Sequence, residues 1–472
     1  MQLRGTRRAV TFALVAAIAA TGCGGSSSKS SASTAAANGG SATGWTQKYK
    51  GTSLSYIGEA TINTSVLKEL VPQFTAATGI GVKIEEAPYD QVLQKTTLDA
   101  TSKSGAYDVI SLPYEFLGAY AEKKWIAPVD DFLSSAKVPG FDSTDLIPAL
   151  WTASSKWAGK TYGMPSNSAV MMMFYRKDLF SDASEQAAFK AKYNYDLASP
   201  KTWQQYRDMA EFFNRPAGAK LAGQTLTDAF AGVAMAGKRH VATVLEWMDY
   251  AWTKGGGIFD KDGNLIVNSP QSIDSLNYEL GLTKFAQAGF TSATWDETTA
   301  ALQKGTAALS ITWGDTAGAM EDTKASAVVG KMGYASIPVD KDGDTPIAHL
   351  GSWTHVISAT SKKKEAGQLF MAWAASKDVQ KQLGAKGGLP ATTSSFKDPE
   401  LLKSLPYWVQ ELTSLSQAKN RPRLPEWGGI SDSLQLQVSN VLSGQADAKT
   451  ALDAAQADIT KLFAGHLPAK AT

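Results

Sequence analysis

From residue 54 onward, short apolar runs alternate with longer stretches in which apolar side chains recur every three or four positions. Residues 54–57 read as a strand. Leu67, Leu70, Val71 and Phe74 stand at i, i+3, i+4 and i+7, predicting a helix over 64–78 that stops at Gly79. Pro72, inside that stretch, argues for a break in it. A strand over 82–85, a helix over 91–102, a strand over 107–112 and a helix over 114–124 continue the alternation. Strand–helix–strand repetition predicts an α/β protein with a parallel sheet covered on both faces. In such sheets ligands bind beyond the carboxyl ends of the strands, where Pro113-Tyr114-Glu115 stands.

The middle of the chain reads as mostly helical. Two Asp-Lys-Asp-Gly segments, at 259–264 and 339–344, read as hairpin turns. Ala366, Leu369, Phe370 and Trp373 repeat the helical spacing, and 447–463 reads as a closing amphipathic helix with Leu452, Ala455, Ile459 and Leu462 inward. Neither an internal repeat nor a coiled-coil heptad is present.

The first residues have a different pattern. Residues 1–8 are basic and 9–20 form a non-ionic apolar run, shorter than the ~20 residues a spanning helix needs. That is the layout of an export signal. Ala20-Thr21-Gly22-Cys23 resembles a bacterial lipoprotein box, in which the cysteine thiol is lipidated and becomes the new N-terminus. Plain cleavage beside an incidental cysteine is the alternative, and Arg7-Arg8 leaves both general secretion and twin-arginine export open. Cys23 is the only cysteine, so no intrachain disulfide forms in the oxidising surroundings of an exported protein. The expectation is a signal over 1–22 and a lipid-attached flexible tether over 23–50, whose Ser/Ala/Gly-rich text cannot bury a core.

Length and charge narrow the possibilities further. The 472 residues suffice for two or three globular units, and a 43% hydrophobic content excludes wholesale disorder. The formal charge of +2 falls to about −1 without Arg4, Arg7 and Arg8 of the signal. A nearly neutral body argues against nucleic acid as a partner.

Catalytic motifs are absent. His240, His349, His355 and His466 form no His-Glu-x-x-His site, and one cysteine builds no thiolate cage, so no metal or cofactor is expected. Gly-x-Ser-x-Gly does not occur. Gly159-Lys160-Thr161 lacks the leading glycine of a phosphate loop, since Ser154 holds that position. The Asp-Lys-Asp-Gly turns lack the glycine and glutamate of a calcium loop. Paired carboxylates of a secreted glycoside hydrolase are spatial rather than sequential and stay open as an alternative. The aromatic content, 13 Trp, 15 Tyr and 17 Phe, is high, and aromatic faces stack on the C–H faces of sugars. The clusters at 247–252, Trp313 and Gly351-Ser352-Trp353 stand next to glycine or polar residues rather than inside an apolar stripe.

Ordered fragments run through most of the body: 74–82, Tyr107-Asp108-Val109-Ile110, 159–165, 175–180, Pro200-Lys201-Thr202-Trp203, 255–260, 303–308 ahead of Trp313, and Gly387-Gly388-Leu389-Pro390. Behind a lipoprotein-like signal, they resemble the maltose-binding-like family 1 solute-binding lipoproteins of carbohydrate ABC importers. The resemblance implies a type II-like two-lobe periplasmic-binding-protein fold of α/β class, its lobes joined by hinge strands with the cleft between them. Lobe one would hold 51–166 plus 353–390, and lobe two 168–350 plus 391–472. It implies a non-enzymatic monomer at the cell surface or periplasmic face of the bacterial plasma membrane, anchored through a lipid on Cys23. Such a protein closes by hinge motion on a carbohydrate or polyol and hands it to the importer's permease subunits. Carried over motif by motif, the ligand-binding candidates are Glu59, Tyr114, Glu115, Asn167, Trp247, Tyr250, Trp313, Asp315, Trp353, Glu426 and Trp427. The same fold for a non-sugar solute is the alternative. Polyamines would call for clustered cleft acids and phosphates for arginine, which Arg421 and Arg423 could supply.

Overall fold

The computed structural model describes residues 44–463 except Ala136 and Pro406; the signal region, Cys23, His466 and most of the expected tether lie outside the described residues. The chain lays down β1 (Ser53–Glu59), α1 (Ile62–Thr78), β2 (Gly81–Ala87), α2 (Tyr89–Ser102), β3 (Val109–Pro113), α3 (Leu117–Glu122), β4 (Ile126–Ala127) and β5 (Gly163–Pro165). It then crosses to β6 (Met171–Arg176), α4 (Trp203–Phe213), β7 (Ala231–Ala234), α5 (Val241–Thr253), α6 (Pro270–Leu282), α7 (Trp295–Gln303), β8 (Ala307–Trp313), α8 (Thr316–Met320) and β9 (Met332–Ala335). After β10 (Ala348–His349) come β11 (Trp353–Ser358), α9 (Lys364–Ala374), α10 (Lys377–Ala385), α11 (Trp408–Ser416), β12 (Ala418–Lys419), α12 (Trp427–Leu442) and α13 (Ala448–Leu462).

Two sheets centre two lobes. The first runs β2-β1-β3-β11-β4, with β5 pairing β11; the second runs β7-β8-β6-β9. The expected parallel sheet is mixed. Strands β1, β2 and β3 pair in parallel, as βαβ units must, but β11 runs antiparallel to β3, β4 and β5. The reason is the chain's path: β11 enters from the other lobe, so its first residue, Trp353, lies opposite the last residue of β3, Pro113. The return therefore delivers an indole to the carboxyl edge of the sheet.

Local physics explains several boundaries. Helix α1 stays continuous through Pro72 because Pro72 and Lys68 both face solvent, where water can take the freed carbonyl. It ends at Gly79 in the left-handed region, φ 73°, whose N–H bonds Thr75 O. The helix expected over 114–124 instead opens as a 3₁₀ turn at Tyr114–Phe116 before α3. The turn at 259–264 closes on the Asp260 carboxylate, which accepts from the Asp262 and Asn264 N–H groups, with Phe259 bridging Leu265 antiparallel. At 339–344 the expected turn forms, with Asp344 N–H donating to Lys341 O (3.0 Å), but it joins no hairpin: Val339 bridges Thr202 in parallel. Leu462, expected inward on α13, is 41% exposed, yet its side chain covers Gly429 of α12. The chain is docked from residue 45, earlier than the tether boundary at 50: Trp45 meets the Phe74 ring edge-on at 6.1 Å and Lys48 pairs with Glu365 at 3.0 Å.

Segments crossing between the lobes lie side by side. Val170 bridges Leu350, Ser166 N–H donates to Trp353 O (2.8 Å), and Gly351 N–H to Ala169 O (2.7 Å). Alongside, β10 pairs in parallel with β12 and Leu350 N–H donates to Lys419 O (2.9 Å). Among the described residues no helix is long and apolar enough to cross a membrane.

Candidate functional site

A cavity of about 630 Å³ lies where the carboxyl ends of the first sheet face the second lobe. Its first-lobe wall includes Glu59 at the end of β1, Tyr89 at the head of α2, Pro113 at the end of β3 and Trp353 at the start of β11. The opposite wall includes Trp295 and Asp296 from the first turn of α7, Trp313 from the end of β8, and Asp315 just before α8. Asn167 and Ser352 of the crossing segments form part of the lining between them.

Each wall is held by its own local logic. Helix α7 starts at a capping box in which Thr294 and Glu297 satisfy each other's backbone ends, so Trp295 and Asp296 are fixed at the helix mouth. The Asn167 Oδ1 accepts from Trp353 N–H (2.8 Å) and Ser352 Oγ donates to Asn167 O (3.0 Å), locking the two crossings together beside the indole. Gly351 has no side chain because a Cβ there would run into the Trp313 ring. Behind Trp313, the His349 ring meets it edge-on at 5.8 Å and stacks on Trp252 at 4.8 Å.

The aromatic groups form a chain across the cleft. The Tyr89 ring meets Trp353 at 5.7 Å and Trp295 at 5.6 Å, both edge-on. Its hydroxyl donates to Glu115 Oε1 (3.0 Å), which also receives Arg421 Nη1 (2.5 Å). Arg421 N–H in turn donates to the Tyr114 hydroxyl (2.7 Å), and that hydroxyl donates to Leu350 O (3.2 Å). At the rim, His240 packs on Trp295 at 4.7 Å and places Nε2 3.6 Å from Asp90 of the first lobe.

Electrostatics in the cavity are dominated by carboxylates. Burial pushes Glu59 well above the ordinary carboxylate range, and Asp315, Asp296 and Glu115 push it further against the pull of Arg421. Burial raises Asp315 to about 6, its own and Thr316's backbone N–H groups opposing the rise. Burial and neighbouring Glu297 raise Asp296. Burial also raises Glu115, even against the Arg421 guanidinium. No group of His, Cys, Asp and Glu side chains among the described residues could hold a metal ion.

Of the residues singled out in the sequence, Glu59, Asn167, Trp313, Asp315 and Trp353 are brought together around this cavity. The others are placed elsewhere, each for a physical reason. Tyr114 is fully buried as the strut between Arg421 and Leu350, and Glu115 stands one layer behind the wall, holding Tyr89. Trp247 faces α6, donating to Ser272 O (3.3 Å), and Tyr250 packs on Trp203 at 4.7 Å, both within the second-lobe core. Glu426 is half-buried at the cap of α12 and Trp427 is fully buried. The glycines beside them serve packing: Gly429 lies under Leu462 of α13.

Tyr89, Trp295, Asp296 and Arg421 also line the cavity. Tyr89 follows the end of β2 as Tyr114 follows β3, so the strand-end rule applied to both would have found it. The Thr294-x-x-Glu297 spacing is a capping-box signature that would have put Trp295 at a helix start had it been read in the sequence.

The sequence model of the family described as bacterial extracellular solute-binding protein matches residues 59–381. A probable amino-acid ABC transporter periplasmic-binding protein of Sinorhizobium fredii is 24% identical over 368 residues, 78% of each chain. An ABC transporter solute-binding protein of Agrobacterium radiobacter K84, solved in complex with ribitol, is similar with a TM-score of 0.78 and 28% identity, covering 88% of this chain and all of that one. One from Agrobacterium vitis S4 with bound D-mannitol gives 0.74 and 26%, with 88% and 100% covered.

Proposed function

The chain belongs to the bacterial extracellular solute-binding protein family, and we propose that it captures a carbohydrate or polyol between its lobes and passes it to an ABC importer. The observation that carries this reading is the indole- and carboxylate-lined cavity between the two sheets. Indole faces stack on C–H surfaces, while carboxylates and amides accept and donate hydrogen bonds to hydroxyls, the pairing that a small polyhydroxylated solute requires. Relatives solved with ribitol and D-mannitol support the class of ligand. With lobe one taken as 51–166 plus 353–390 and lobe two as 168–350 plus 391–472, Glu59, Tyr89 and Trp353 meet the solute from one side. Trp295, Asp296, Trp313 and Asp315 meet it from the other, with Asn167 at the crossing. Binding converts nothing; closure is the output, and the permease reads the closed shape.

Calorimetry of the folded protein against ribitol, D-mannitol and maltose tests this reading. Saturable binding with no product formed is expected, and silence across the panel would overturn it. The lipid on Cys23, the monomeric state and the surface location belong to the same proposal. Cys23→Ser is expected to move the protein from the membrane to the soluble fraction of cells, and an unchanged membrane fraction would remove the anchor.

A further inference from the structure

The acids of the cleft outnumber its free cations. Glu59 and Asp315 are half-buried in opposite walls, and Asp296 and Asp322 stand nearer the exposed rim of the same cavity. Among the described residues none of these four carboxylates takes part in an ion pair. The two cations on the wall are already engaged: Arg421 with Glu115 at 2.5 Å and Lys386 with Glu69 at 2.8 Å. The same cavity carries the rings of Tyr89, Trp295, Trp313 and Trp353, whose faces attract cations as well as C–H groups.

Resting on the function proposed above, we infer that the preferred solute carries a protonated amine on its hydroxylated frame, as an amino sugar or amino polyol does. A neutral polyol can offer hydroxyls to Glu59 and Asp315 but no charge to offset their burial. An ammonium group offers both, and the surrounding rings add to it. The alternative of a phosphate ester is disfavoured on the same wall, because the guanidinium that would receive it is committed to Glu115 and the surrounding acids repel an anion wherever they are ionised.

Proton linkage gives the inference a second readout. Glu59 sits above its ordinary range through burial and then through Asp315, Asp296 and Glu115, with Arg421 opposing; Asp315 is raised to about 6 by burial. Asp296 is raised by burial and Glu297, with His240 and Lys238 opposing. A bound ammonium favours the ionised forms, so its capture releases protons and weakens as pH falls, with Asp315 contributing its share as pH drops through about 6.

The experiment uses matched probes that differ by one hydroxyl replaced by an ammonium: glucose with glucosamine, and sorbitol with 1-amino-1-deoxysorbitol. Each is titrated into the full chain by calorimetry and by indole fluorescence. The amine of at least one pair is expected to bind about tenfold or more tightly than its neutral partner. That ratio should shrink at pH 5 and in Asp315→Asn, an isosteric change. A neutral member that binds as tightly as its amine in both pairs overturns the inference and leaves the proposed function standing. Silence of both pairs, together with ribitol, D-mannitol and maltose, takes down that function and the inference with it. Capture of spermidine in place of every hydroxylated probe likewise removes the sugar-like frame.

Discussion

Helix α5 and the strand ends at Trp313 and Trp353 present the same chemistry in the sequence: indoles close to glycine and polar residues. They come to opposite ends. Every residue of α5 from Val241 to Trp252 is buried, and Trp247 is fully enclosed between α5 and α6. Trp313 closes β8 and Trp353 opens β11, so each is backed by a sheet on one side and faces the cavity on the other. The single α5 side chain on the cavity wall is Leu245. A helix buried on all faces, as α5 is even at Glu246 and Asp249, is a core helix, and its rings fill volume. A ring on the carboxyl edge of a sheet has only one face to fill. What decides an indole's role is the geometry of the element that carries it, not its neighbours in the text.

If that contrast is right, truncating the two kinds of ring should damage different properties. Trp247→Ala empties a closed core site and should cost about 3–5 kcal/mol of stability. Chemical denaturation reads the loss, and the fraction that stays folded should keep its affinity. Trp353→Ala should do the reverse: binding weakens by about 1–3 kcal/mol as a central stacking contact is lost, with a smaller stability change. Unchanged affinity in Trp353→Ala would place the solute away from that ring.

The pattern of the first lobe was readable because it is local. Each of β1, α1, β2, α2 and β3 was visible from local pattern: α1 and α2 bury one face, and β3, buried at every position, reads as a short, largely apolar run. The mixed sheet was not, because the direction of β11 depends on a chain path through the other lobe. The site divides along the same line. Glu59, Asn167, Trp313, Asp315 and Trp353 lie where strand ends and crossings put them, which family resemblance and strand-end logic can reach. Trp247, Tyr250 and Trp427 looked equivalent in the text because burial on all sides is a tertiary property, fixed for Trp247 by α6 and for Tyr250 by Trp203 of α4.

Titration offers a gentler probe of the core side of this contrast. Glu279 of α6 is fully buried with neither carboxylate oxygen hydrogen-bonded, and burial, then Glu246 of α5, raise it well above the ordinary range. Below its unfolded pKa both states carry the proton; as pH rises past that value only the unfolded chain ionises, so this group draws stability away. Glu279→Gln should therefore raise the denaturation midpoint at pH 7 and lose that advantage near pH 4. A gain that is the same at both pH values would contradict a carboxyl kept protonated in the core. His355, lowered to about 4 by burial, acts in the opposite sense: stability falls as pH drops from 6.5 toward 4, because only the unfolded chain takes up the proton. The comparison must therefore be made against the parent chain at each pH.

The mildest change tests how the cleft side is held. Trp295 and Asp296 reach the cavity as the first two residues of α7, where the carbonyls are held from downstream but the N–H groups have no acceptor within the helix. The fixing comes from Thr294, whose hydroxyl accepts from Asp296 N–H (3.3 Å) while Glu297 Oε2 accepts from Thr294 N–H (2.8 Å). Thr294→Ala removes one half of that box and should cost about 0.5–2 kcal/mol of stability. Because the freed turn carries an indole and a carboxylate of the wall, affinity should fall as well, by a smaller amount than in Trp353→Ala. A cap removed from a helix that serves only the core would lower stability alone. Loss of stability with affinity untouched would thus show that the first turn of α7 stands beside the solute without touching it, and would leave the second-lobe wall to Trp313 and Asp315.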